Sequence, residues 1–294
     1  MRADIPSYVR TMIRPVRRIA AVCALGAALA ACGSAGGARP APAESAAPAS
    51  PSASRPPVLA PGPGGVTPVF EHGPRTLGKT VALTFDADMT ADQGPRAAAG
   101  EHFDNPELIG TLRALKVPAT VFVTGRWAEE YPTEASSLGH DPQFEVANHS
   151  YSDYAFTDDC YGLPTVSADR MRSDVERAYA SLRKAGVPRP VPYFRFPGGC
   201  YDQRALRALN GVGITAVQWD VVSGDAFAAD ADAAAVARQV LDGVRPGSVV
   251  VMHCTRSAAP ATERVVRTVV PELRRRGYRF VKVSELIGQS RGRP

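Results

Sequence analysis

Val81-Ala82-Leu83-Thr84-Phe85-Asp86-Ala87-Asp88 is a short apolar, β-rich run that breaks into two carboxylates. Comparable runs recur downstream at 119–123 (ATVFV), 144–148 (FEVAN), 192–196 (PYFRF), 215–219 (TAVQW), 248–252 (SVVVM) and 279–283 (RFVKV). Between them lie stretches with helical spacing. In NPELIGTLRALK (105–116), Leu108, Ile109, Leu112 and Leu115 share one face. SADRMRSDVERAYASLRKAG (167–186) has Ser167 to cap its start and Gly186 to end it, and ATERVVRTVVPELRRRG (261–277) is a further helix. Seven strands alternating with helices predict a parallel α/β architecture. The pattern alone allows either a doubly wound sheet or a barrel. In both, reactive residues belong at the C-terminal ends of strands.

Such residues cluster there. Asp86 and Asp88 follow the first run, His149 and Asp153 the third, Asp220 and Asp225 the fifth, and His253 the sixth, while Arg195 closes the fourth. Two aspartates, a histidine and a third carboxylate make a hard nitrogen–oxygen donor set suited to zinc or another divalent first-row ion, with cobalt, nickel and manganese as alternatives. A carboxylate can then accept the proton of an attacking water, and a histidine across the site can protonate a leaving group. That arrangement hydrolyses an amide or an ester. No GxGxxG or phosphate-binding loop is present. His72, His102 and His140 lie outside any motif, and Trp219 reads as a core residue.

The N-terminus reads as an address. Residues 1–18 are arginine-rich, and 19–31 (IAAVCALGAALAA) form an apolar run too short to span a bilayer comfortably. The pattern predicts a signal peptide over 1–31 ending at Leu29-Ala30-Ala31-Cys32, which resembles a bacterial lipobox with Cys32 as the lipidated residue; ordinary signal cleavage is the alternative. Residues 32–75 are expected to be a disordered Ala/Pro/Ser/Gly linker, and 76–290 the catalytic domain. The chain carries a net charge of +5, but Arg2, Arg10, Arg14, Arg17 and Arg18 outweigh Asp4 in the leader, so the remainder of the chain is almost neutral. That gives no electrostatic case for a nucleic-acid partner. Of five cysteines, Cys160, Cys200 and Cys254 remain in the domain, enough for one disulfide of undetermined pairing. The expected location is the outer face of the cell membrane, anchored by lipid; the alternative is a free extracellular protein.

These motifs resemble, in order, those of the polysaccharide deacetylase family (carbohydrate esterase family 4), over roughly residues 78–288. Thr84-Phe85-Asp86-Ala87-Asp88 stands where the family has TFDDG, and Asn148-His149-Ser150-Tyr151-Ser152-Asp153 where it has NHTxxH. Arg195-Phe196-Pro197-Gly198-Gly199, Asp225-Ala226 and Val249-Val250-Val251-Met252-His253 complete the set. The resemblance implies a distorted (β/α)7 barrel of parallel strands with flanking helices. It implies Asp86 as general base held by Arg195, and His253 as general acid oriented by Asp225, with Asp220 in reserve. Asp88, His149 and Asp153 would be the metal ligands, and a backbone N–H near Gly198 an oxyanion donor. Three positions depart from the family pattern. Ala87 replaces the second Asp, Asp153 replaces the second His, and Ala226 replaces a sugar-stacking Trp, for which Tyr151 or Phe227 could substitute. The expected substrate is a GlcNAc-containing polysaccharide, most simply peptidoglycan, acted on by a monomer. The rival readings are an O-acetyl esterase on xylan or another glycan, and a weakened polysaccharide-binding lipoprotein.

Overall fold

A computed structural model describes residues 55–76, 78–227 and 233–291. The expected signal peptide, Cys32 and the linker up to residue 54 lie outside the described residues. Nine strands are present among the described residues: β1 (Val69–Phe70), β2 (Thr80–Ala87), β3 (Ala119–Val123), β4 (Phe144–Asn148), β5 (Tyr193–Phe194), β6 (Thr215–Val217), β7 (Val221–Val222), β8 (Ser248–His253) and β9 (Arg279–Phe280). They form one all-parallel sheet in the order β1-β6-β5-β4-β3-β2-β8-β7. β3 reaches only as far as Leu83 of β2, which leaves Thr80 and Val81 to pair with β9.

Chain connectivity decides between an open doubly wound sheet and a barrel. β6 lies beside one edge of the sheet and β7 is the other edge, yet only residues 218–220 join them. So short a link spans at most about 14 Å. The sheet therefore curls until its edges approach, and a covalent link stands where a closed barrel would have a ladder. The result is a distorted barrel of parallel strands with flanking helices.

Alternation along β2 divides the two faces of the sheet. Val81, Leu83, Phe85 and Ala87 pack into the cluster beneath the helices, whereas Ala82 belongs to the interior cluster with Phe122, Val217 and Val249. Thr84 and Asp86, two and four residues on, share the inward side with Ala82. Helices cover the outside. One spans Pro106–Ala114, where Asn105 Oδ1 accepts from Leu108 N at 3.0 Å and Pro106 takes the first helical position. Another, Met171–Lys184, buries Met171, Val175, Ala178 and Leu182. The third, Thr262–Arg275, buries Val265, Val266, Val269, Val270 and Leu273. Each fully buried Leu or Val contributes roughly 1.5–3 kcal/mol.

Three expectations change. Ser167 does not cap the long helix, which starts at Met171; its carbonyl instead accepts from Arg170 N at 2.8 Å in a preceding turn. The folded part begins well before residue 76. Tyr193 Oη donates to the Pro57 carbonyl at 2.8 Å, Leu59 N donates to Thr215 Oγ1 at 2.9 Å, and Phe70 is buried in β1. Val58, Leu59 and Phe70 of that stretch pack on the barrel's interior cluster, and Val66 and Val69 on the cluster around Phe194 and Phe196. Finally, β7 was hidden in the sequence because two residues carry no period. No helix among the described residues is long and apolar enough to cross a membrane.

Candidate active site

The parallel register carries the reactive side chains to one end of the barrel. Asp86 on β2 stands level with His253 on β8, and Cys254 N donates to the Asp86 carbonyl at 2.7 Å. On the other flank, Ala87, Val123, Asn148 and Phe194 are aligned across β2, β3, β4 and β5, so His149 and Arg195 leave their strands side by side.

Arg195 fills the interior. It is fully buried, its Nη1 lies 2.7 Å from Asp86 Oδ1, and its Nη2 donates to Thr84 Oγ1 at 2.9 Å. Nε donates to the Val217 carbonyl at 3.2 Å, and the guanidinium sits 4.0 Å from the centre of the Phe122 ring. The planar fork thus fixes one oxygen of Asp86 and leaves the other, Oδ2, turned toward His149 Nε2 at 3.8 Å. Thr84 was missed at the sequence level, although its position two before Asp86 puts it on the same face.

His253 and Asp225 form a dyad. His253 Nδ1 lies 2.8 Å from Asp225 Oδ1, and His253 N donates to Asp225 Oδ2 at 2.8 Å. Thr262 Oγ1 donates to Oδ2 at 2.7 Å and Ser223 Oγ to Oδ1 at 2.8 Å, so every lone pair of this buried carboxylate is matched. Burial opposes ionisation of Asp225, but the bonds from His253 and Thr262 outweigh it and hold the carboxyl below its usual range. Burial likewise opposes the imidazolium of His253. The Asp225 hydrogen bond and charge, with Asp88 and Asp86 behind them, override it and push the pKa up to about 10. His253 is therefore an acid at neutral pH, with Nδ1 committed to Asp225 and Nε2 free to deliver a proton. Thr262 and Ser223 carried no local sequence signal.

His149 is buried, and its Nδ1 lies 3.0 Å from the Arg195 carbonyl. A carbonyl can only accept, so Nδ1 carries the proton and the Nε2 lone pair points into the site. Burial lowers the His149 pKa despite Asp86 and Asp88, so the ring is neutral. Asp153 Oδ1 is 3.8 Å from Nε2. Burial, then the charges of Asp88 and Asp86, raise the Asp153 carboxyl well above its usual range. The connecting loop is built from strand to ligand: Ser150 N donates to Asn148 Oδ1 at 2.8 Å, and Asp153 N donates to Ser150 Oγ at 2.9 Å. Ser150 (φ 71°) and Asp153 (φ 60°) both hold left-handed backbone conformations, each costing of order 1 kcal/mol or more.

A hard divalent cation fits this donor chemistry. A neutral imidazole lone pair facing carboxylate oxygens is repulsive by itself, and a shared cation reverses the sign of that contact. The cage is not ready-made: among the described residues no three His, Cys, Asp or Glu side chains stand together in a metal-binding arrangement. Asp88, expected as a ligand, is hydrogen-bonded through Oδ1 to the Thr255 hydroxyl, a partner that sequence reasoning did not find.

Other expected residues lie elsewhere. Asp220 is not in the site. It immediately precedes β7 at the opposite end of the barrel, 2.8 Å from Arg75 Nη2, and accepts from Val249 N at 2.7 Å and Ser248 Oγ at 2.8 Å. Tyr151 is no open stacking surface: it is buried, its ring faces the Arg177 guanidinium at 3.4 Å, and its hydroxyl meets Glu129 at 3.0 Å. Phe227 ends the turn Asp225–Phe227, and its side chain lies outside what the structure describes. Gly198 (φ 63°) sits in the turn Pro197–Gly199, where an added Cβ would come within 2.6 Å of Cys160 Sγ. The disulfide joins Cys160 to Cys200 across this turn, while Cys254 is a buried free thiol whose pKa burial pushes up to about 12. Trp219, expected in the core, is half-buried: it packs against Gly199 and the edge of the interior cluster, and its ring centre lies 5.3 Å from the Arg195 guanidinium.

A family model described as polysaccharide deacetylase matches residues 73–217. A chitooligosaccharide deacetylase of Sinorhizobium fredii is 32% identical over 172 residues, 56% of this chain and 70% of the relative. A peptidoglycan-N-acetylglucosamine deacetylase of Bacillus cereus is 24% identical over 212 residues, 71% of this chain and 88% of the relative. Among solved structures, a family 4 carbohydrate esterase pseudoenzyme from Bacillus anthracis superposes with a TM-score of 0.60 at 22% identity, covering 75% of this chain and 69% of that one.

Proposed function

The chain belongs to the polysaccharide deacetylase family, and we propose that its substrate is a polymer bearing N-acetylglucosamine, most simply peptidoglycan. Relatives named for peptidoglycan and for chitooligosaccharides support an acetamido substrate. One observation carries the chemical reading: the Asp86–Arg195 pair and the Asp225–His253 dyad stand at one level on adjacent strands. A base and an acid are thereby held on opposite sides of one reacting carbon.

Asp86 Oδ2 takes the proton of the attacking water, while Arg195 keeps Oδ1 and the charge in place. His253 Nε2 delivers a proton to the departing amine nitrogen, and Asp225 stabilises the imidazolium before that transfer. A divalent cation held by His149, Asp153 and Asp88, zinc before cobalt, nickel or manganese, would supply positive charge for the developing oxyanion. We further propose that Cys32 carries a lipid and that the domain works outside the membrane; the leader sequence alone supports this.

The test is acetate release from chito-oligosaccharides, peptidoglycan and acetylated xylan, with metal analysis of the purified protein. Release from the N-acetylated glycans, lost in Asp86→Asn, is expected. Release from acetylxylan alone would make the enzyme an O-acetyl esterase. No release from any substrate, and no bound cation, would place it with the pseudoenzymes that share the fold.

A further inference from the structure

We propose that a cavity beside the active site is a subsite for a carboxylate carried by the glycan, on a sugar neighbouring the one that is deacetylated. The proposal rests on the polysaccharide reading above and specifies the chemistry of its substrate.

The cavity, of about 440 Å³, is lined by Ala91, Tyr151, Ser152, Arg126, Arg170 and Arg177, with Asp174 in its wall. Its position is set by the catalytic loops. Ala91 lies three residues beyond Asp88, and Tyr151 and Ser152 lie between His149 and Asp153. The cavity therefore opens on the same end of the barrel as the acid and the base.

Three arginines line it against a single acid, Asp174. Arg126 has Glu129 at 3.7 Å. Arg177 donates to Tyr151 Oη at 2.7 Å while its guanidinium lies on the ring at 3.4 Å, and that hydroxyl in turn donates to Glu129 Oε2 at 3.0 Å. Arg170 is exposed, with the opposite charge of Asp169 beside it in the chain and outside the cavity lining. The single acid in the wall, Asp174, already accepts from Tyr151 N at 2.7 Å, and burial raises its pKa. Here three guanidiniums from two elements converge on one concavity.

Tyr151 gives the arrangement its rigidity. It is wedged against Gly125, where an added Cβ would come within 2.4 Å of its ring, and its hydroxyl binds both Arg126 and Arg177. Two guanidinium forks are thereby ordered before any ligand arrives, which lowers the entropic cost of engaging a planar anion. Arginine forks match a carboxylate in two-point geometry. The glycan chemistry that fits is a sugar with an acidic substituent, such as a lactyl ether or a uronic acid. A plain N-acetylglucosamine polymer offers nothing to this cavity.

The experiment compares binding of two fully de-N-acetylated glycan strands to the full-length protein by calorimetry. One keeps its free carboxylates and the other has them amidated; neither can be turned over, so binding is read independently of catalysis. The free-carboxylate strand is expected to bind about fivefold to tenfold tighter at low salt. That preference should collapse toward unity in Arg170→Gln and Arg177→Gln, and at 0.5 M salt. The variants' circular dichroism and melting curves check that they are folded. Equal affinity for the two strands, or a preference that survives both substitutions, overturns the subsite. Absence of acetate release in the panel above would instead overturn the deacetylase reading, leaving this comparison to stand or fall separately.

Discussion

Replacing Asp225 by Asn tests the coupling on which the acid depends. His253 is pushed up to about 10, against about 6.5 for an ordinary histidine. Asp225 makes the largest contribution in that direction, through a 2.8 Å hydrogen bond and a full charge, with Asp88 and Asp86 adding less. Asparagine keeps an oxygen for Nδ1 but removes the charge. We expect the His253 pKa to fall by about two units, equivalent to ~3 kcal/mol between protonation states. A group whose folded pKa exceeds its unfolded value favours folding fully below the unfolded value, and that contribution fades as pH rises through the folded value. The stability difference between wild type and variant should therefore be widest below pH 6.5 and narrow as pH rises toward about 10. A pH-independent residue of about 1–3 kcal/mol should persist, because an asparagine amide cannot accept from both Thr262 Oγ1 and His253 N. The assay is the imidazole ring proton shift of chelator-treated protein titrated from pH 5 to 11, with urea denaturation at matched pH. A wild-type His253 that titrates near 6.5, or an Asp225→Asn variant that titrates where the wild type does, would refute the reasoning.

Arg195→Met should cost ~3–5 kcal/mol in urea denaturation, because it strands Asp86 as a buried, unpaired carboxylate; a cost below about 1 kcal/mol would contradict the interior pairing. Asp86→Asn should lower the rate of acetate release by about 100-fold or more, measured at saturating substrate, while leaving most of the stability in place. Full activity in that variant removes Asp86 as the base. Chelation should abolish acetate release, with recovery on adding back zinc, cobalt, nickel or manganese; Asp153→Ala should raise the metal concentration needed for half recovery by roughly 10-fold or more, read by titration. Opening the Cys160–Cys200 bond by Cys200→Ser frees a loop closed over 40 residues and should destabilise the domain by about 4 kcal/mol, seen as a lower denaturation midpoint.

Much of this molecule is written locally. The apolar runs that became β2, β3, β4 and β8 are long enough to declare themselves, and Asp86, His149 and His253 sit where those runs end. β1 and β7 are two residues each, and a two-residue element has no periodicity to read. For the same reason the sequence put Asp225 first only by its motif and kept Asp220 in reserve. Pairing of Val221 with Val250 fixed which of them points to the active end. Glycines 198 and 199 looked like a motif. The tertiary structure shows their other reason, a disulfide sulfur and an indole ring pressed against positions that admit no Cβ.

The amino-acid sequence by itself determined the alternation of strand and helix, the end of the sheet at which reactive side chains gather, and which aspartates and histidines stand there. These follow from hydrophobic period and from residue type, which act over a few residues. Tertiary structure alone decided that the sheet curls, because only the strand order shows that a three-residue link must join β6, next to one edge, to β7 at the other. It also decided that Asp88 leans on Thr255 and that Tyr151 braces two arginines. Those partners are separated by up to 167 residues, and no local pattern encodes a contact at that range.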